Sequence, residues 1–141
     1  MKLNHDCIRD VMIYIEENCI YEDDDRGNRS IHSRVFYEIT HDEKLSSRYT
    51  EDEIRYVVAQ LYFEDMVIAT MTPETLNFRR FNVDSLSFKG HEFLDNIKDD
   101  TVWKKTKKFV GEHLTSTSFS IIANVASKIA IEALASGATP K

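Results

Sequence analysis

The stretch from Thr50 to Thr70 constrains the fold more than any other part of this 141-residue chain. Thr50-Glu51-Asp52-Glu53 is a capping box, in which the Thr hydroxyl accepts from the N3 amide and the N3 Glu reaches back to the N-cap amide. Ile54, Val57, Val58 and Leu61 follow at helical spacing and form a stripe to be buried. Arg55, Tyr56, Ala59 and Gln60 face outward or flank that stripe. The helix is predicted to end near Glu64-Asp65, after which Met66-Val67-Ile68-Ala69-Thr70 is apolar and β-branched, as a strand requires. Pro73 and Asn77 mark a turn, and a return strand runs from Phe78 to about Leu86.

The flanks extend this pattern. Ile8, Val11, Met12 and Ile15 fall on one face of a helix over residues 5–18, with Asn4 as its N-cap and Asp6 in its first turn. The run Glu22 to Asn28 reads as a solvated acidic loop, without the spaced ligands of a calcium loop. Ile31, Val35, Tyr37 and Ile39 alternate with polar residues, which suggests a strand, although Phe36 breaks the period and a short helix fits as well. His41 to Arg48 is polar and reads as a loop. Ser87 caps a helix that buries Phe93, Leu94 and Ile97, and Asp99 or Asp100 caps another over about 101–114. Ser118 or Ser120 opens a last helix to about Leu134, with Gly137 as its stop. A helix, a strand, a capped helix and a hairpin in this order make a winged helix, a variant of helix-turn-helix. The expected fold is therefore α+β and mostly helical. A winged helix-turn-helix core occupies residues 1–98, and a helical extension over 99–141 packs on it or mediates association. The helix from Thr50 is then of the recognition type, and Val67 to Leu86 is the wing, with Arg79 and Arg80 near its tip.

Charge divides the chain. Residues 1–100 hold 12 Lys/Arg and 22 Asp/Glu, a net −10, whereas residues 101–141 hold 6 and 2, a net +4. Such a split implies a head and a tail with different partners. An acidic head is a poor phosphate binder, because affinity for DNA rests largely on Lys/Arg. Cys7 and Cys19 stand about 18 Å apart if both lie on one helix, too far for a disulfide, so reduced thiols in a bacterial cytoplasm are expected. Met1 to Asp10 has no apolar core of a signal peptide, and no run of 18 uncharged apolar residues occurs, so no membrane role is expected.

Two segments carry a resemblance. Tyr56 to Ala69 is similar to a pattern reading Y-H-x-x-L-L-x-x-A-G-L-I-x-A, and Leu86-Ser87-Phe88-Lys89-Gly90-His91-Glu92-Phe93-Leu94-Asp95 resembles L-T-W-E-G-H-E-F-L-D. Asp99-Asp100-Thr101-Val102-Trp103-Lys104-Lys105 continues it as D-D-T-x-W-x-K. Together these resemble the domain-of-unknown-function family 2513, small proteins of bacterial phages and prophages. The resemblance implies a cytoplasmic protein with a winged-helix core and no established activity. Asp65 stands where the family has Gly, which implies a left-handed residue at the helix exit. Phe88 replaces a Trp and Lys89 an acid.

No catalytic group, cofactor or metal site is expected. His91-Glu92 opens a zinc-protease motif, but Asp95 holds the place of the second His. The better reading is that Gly90 permits close helix packing and His91 bonds nearby. Nucleophile elbow, P-loop and dinucleotide glycine motifs are absent. Two binding readings remain. Arg48, Arg55, Arg79 and Arg80 would contact duplex DNA, against the repulsion of Glu51, Asp52, Glu53 and Glu64. Alternatively the acidic surface meets a host or phage protein, such as a defence complex. In the tail, Lys104, Lys105, Lys107, Lys108, Ile122 and Ile129 are the candidate partner residues, for another protein or for a second copy in a homo-dimer.

Overall fold

The computed structural model describes residues 1–69, 81–113 and 119–136, and the chain is α+β. It divides into two compact units, Met1–His91 and Glu92–Lys141.

The first unit begins with α1, His5–Asn18. The Asn4 carboxamide oxygen accepts from the Cys7 amide at 3.1 Å, so one orphan donor of the first turn is satisfied. The amide nitrogen of the same side chain donates to Glu53 Oε2 at 2.9 Å, which ties the start of α1 to the start of the capped helix. Cys7, Ile8, Val11, Met12, Tyr14 and Ile15 are buried, and Cys19 caps the C-terminus.

The acidic stretch is not simply a loop. Tyr21–Asp23 (β1) pairs antiparallel with Arg29–Ile31 (β2). Asp24 Oδ1 accepts from the amides of Arg26 and Asn28, and Gly27 takes φ +79, a conformation open to a residue without Cβ. The carboxylates are solvated, as expected, but local side chain–backbone bonds turn the chain between paired strands.

The third strand, β3, is only Arg34–Val35, and Phe36–Thr40 forms a helix, α2. Of the two readings of residues 31–39, the helix holds from Phe36 onward. The reason is the residue that broke the alternation: Phe36, Ile39 and Thr40 are buried together at i, i+3 and i+4. Glu38 secures the start, accepting from the Val35 amide at 3.2 Å and pairing with Arg34 at 3.0 Å. The supposed loop 41–48 also contains a helix, α3, Glu43–Arg48. Asp42 caps it by accepting from the Leu45 amide at 3.2 Å, and Leu45 is its single buried side chain.

The capped helix α4 runs Glu51–Phe63, with both reciprocal bonds of the box at 3.1 Å. Ala59, expected outward or flanking, is buried with Ile54, Val57, Val58 and Leu61. The helix ends in a Schellman motif: the Met66 amide donates to Leu61 O at 2.9 Å and the Asp65 amide to Tyr62 O at 3.1 Å. Asp65 has φ 58, the left-handed residue that the resemblance implied. Val67–Ala69 (β4) follows and pairs with Asn82–Leu86 (β5), in register Val67↔Leu86, with an irregularity between Ile68 and Ala69. Strand β5 also pairs with β3, so the antiparallel sheet has the order β3-β5-β4. Phe81, buried just ahead of β5, meets Tyr62 edge-on at 5.2 Å and Phe36 at 6.3 Å.

Phe88–Ile97 (α5) contains the division between the units. The Ser87 hydroxyl caps it, accepting from Gly90 at 3.0 Å. In the second unit, α6 covers Asp100–His113, and Asp99 caps it by accepting from the Val102 amide at 2.9 Å. Phe119–Ala135 forms α7, which packs against α6. Val102, Trp103, Thr106, Ile122 and Ala126 are buried.

One buried group lacks a partner. His5 Nε2 makes no hydrogen bond among the described residues, and burial pulls the imidazole below its ordinary value of 6.5, with Asp6 opposing. Protonation is therefore disfavoured in the folded chain. Stability should be full above the unfolded value of 6.5 and decline as pH falls below it toward the lower folded value. Urea midpoints compared between pH about 7.5 and about 5.5 should drop more in the wild type than in His5→Gln. Equal declines would contradict this assignment.

Candidate partner-binding surfaces

On the first unit, the outward face of α4 is dominated by its first turn. Glu51, Asp52 and Glu53 suit the positive end of the helix dipole and give this end of the helix a negative surface. The Asn4 hydrogen bond holds the Glu53 carboxyl below its usual range, with help from the Thr50 amide. Arg55 is not directed away from its helix: its Nη2 pairs with Glu51 Oε1 at 3.0 Å, and its guanidinium lies 5.0 Å from the centre of the Phe36 ring.

Arg48 is held in the same way. Its Nη1 lies 2.9 Å from Asp10 Oδ2, an oxygen that also accepts from the Tyr49 hydroxyl at 2.6 Å. Burial, and then the bond to Asp10, push the Tyr49 phenol well above its ordinary value. Asp10 thus latches α1 to the junction of α3 and α4. Two of the four arginines proposed for DNA, Arg48 and Arg55, are thereby paired with carboxylates, and Arg79 and Arg80 lie outside the described residues.

Sequence reasoning did not anticipate a cleft of about 710 Å³ between α1 and α3, lined among others by Asp10, Tyr14, Glu17, Asp42, Lys44 and Arg48. The signal for it was present, since Asp42 followed by Glu43 is a cap with an acidic first turn. Near the exit of α4, Phe63 is 55% exposed and Ile68 52% exposed, while Phe88 at the start of α5 is 81% exposed. Lys89 Nζ donates to Glu64 O at 3.0 Å between these aromatics in sequence.

On the second unit, Lys104, Lys105, Lys107 and Lys108 are exposed, and Lys107 Nζ sits 5.7 Å from the centre of the Trp103 ring. Ile122 is 3% exposed and Ile129 half-buried, so their side chains are largely taken up in packing. The well-exposed apolar residues of α7 are instead Ile131 and Leu134.

The thiols are poorly suited to nucleophilic chemistry. Burial pushes Cys7 up to about 12 and Cys19 to about 11, so neither has appreciable thiolate at neutral pH. His91 Nδ1 stands 4.0 Å from Glu16 Oε2, an ion-pair distance rather than a hydrogen bond. Among the described residues, no group of three or more His, Cys, Asp or Glu is placed to hold a metal ion. No described helix is long and apolar enough to cross a membrane.

The residues carrying the sequence resemblance occupy structural junctions: Asp65 at the turn out of α4, Gly90 against Met66, and Asp99 at the cap of α6. A family described as "Hypothetical protein (DUF2513)" matches residues 2–117. The chain belongs to this DUF2513 family. Its match covers all of the first unit but the initial residue, together with α6. Curated proteins and solved structures provide no match to the chain.

Proposed function

We propose that this DUF2513 protein is a non-enzymatic winged-helix module of the bacterial cytoplasm, phage- or prophage-derived, that binds a protein with a basic surface. The winged-helix reading is supported by the sheet order β3-β5-β4 with α4 immediately ahead of β4. One observation carries the choice of partner: Arg48 and Arg55 are neutralised by Asp10 and Glu51, while Glu51 and Asp52 remain exposed at the first turn of α4. For either arginine to reach a phosphate, it would have to abandon a carboxylate and approach others. A basic protein surface meets the same face attractively, and complementary charge raises its association rate. The exposed Phe63 supplies an apolar contact at the far end of α4.

Affinity capture from a bacterial lysate after exhaustive nuclease treatment tests this reading. A specific protein should remain bound at low salt and elute as salt screens the charges. Loss of every bound protein on nuclease treatment would overturn it. The winged-helix topology itself favours a second reading, contact with duplex DNA through Arg79 and Arg80. That reading expects DNA binding to fall in Arg79→Ala/Arg80→Ala.

A further inference from the structure

Cations on the two units are placed differently. In the first unit Arg29, Arg34, Arg48 and Arg55 each pair with a carboxylate, namely Asp23, Glu38, Asp10 and Glu51. On α6, Lys104, Lys105 and Lys108 are exposed and have no carboxylate partner among the described residues. Helical geometry sets Lys104, Lys105, Lys107 and Lys108 on one arc opposite buried Thr106. Like charges at i+3 and i+4 repel one another, and this arrangement is relieved when an anion sits over the face.

We propose that the lysine face of α6 binds the phosphate backbone of duplex DNA without reading its sequence. From Lys104 to Lys108 the helix rises about 6 Å, the axial span of about two phosphates on one strand. Flexible ammonium groups act there as point charges and need no fixed geometry. Phe109, 46% exposed beside this arc, adds apolar contact at its edge. The surface is separate from α4, so one chain would hold a protein by its first unit and a polyanion by its second.

The test is a salt titration of binding to a duplex of arbitrary sequence, using the full chain and Lys104→Gln/Lys105→Gln/Lys108→Gln. Wild type should bind at low salt, and the variant should bind about tenfold or more weakly. The slope of log K against log salt should flatten by about 2.7, or 0.9 for each lysine removed. The matching triple Arg variant should retain binding, and unchanged circular dichroism of the Gln variant would exclude a folding defect. Absence of wild-type binding at low salt overturns the proposal, as does a variant with unaltered slope or binding lost only in Arg79→Ala/Arg80→Ala. Two other outcomes also overturn it: a lysine-dependent rise in the mass of the protein alone, which assigns the face to a second copy, and binding to anionic vesicles without binding to DNA.

Discussion

Gly90→Ala should destabilise the chain by about 3 kcal/mol, although alanine is the better helix former by up to about 1 kcal/mol. A Cβ built at Gly90 would lie 2.1 Å from Met66 O and 3.0 Å from its carbonyl carbon. The obstacle is backbone, which cannot rotate aside. Met66 O also accepts from the Ser87 amide at 2.9 Å, and Ser87 in turn caps α5. Relieving the clash therefore disturbs the exit of α4, the start of β4 and the cap of α5 together. A urea titration reads the effect as a lower midpoint, with Gly90→Val lower still. An alanine variant as stable as wild type would mean that the two backbones do not approach as described.

Phe81→Ala should cost about 3–5 kcal/mol, a large fraction of what holds a domain of this size together. Phe81 is 1% exposed, and its ring spans from Tyr62 on α4 to Phe36 on α2, so truncation leaves a void that several rigid elements must fill. Phe81→Leu keeps most of the volume and should cost less than about 1.5 kcal/mol. Equal losses for the two variants would show that volume at this site is not what matters.

The helices α1, α4, α6 and α7 were legible from sequence because each couples a long apolar stripe to a polar cap. Asn4, Thr50 and Asp99 announced three of the starts. The misread parts are short. The helix α3 buries one side chain, Leu45, which leaves no periodicity to detect. In β1 and β2 all but Ile31 are well exposed, so no apolar alternation marked them, and only Asp24 with Gly27 indicated a turn. Of the candidate surfaces, residue identities were legible but not charge pairing. Nothing in the spacing of Asp10 and Arg48 signals that they meet, since α1 and α3 are joined only by tertiary packing. That pairing moved the weight of the functional reading from DNA toward protein on the first unit.

The most direct test compares nuclease-treated capture by the wild type and by Glu51→Gln/Asp52→Asn, both exposed positions whose replacement leaves the Thr50–Glu53 box intact. The account predicts that the bound protein falls about tenfold or more in this variant. It also predicts that Lys104→Gln/Lys105→Gln/Lys108→Gln retains the protein in full. Equal capture by the wild type and the acidic-face variant would contradict the assignment of α4 as the partner-binding face.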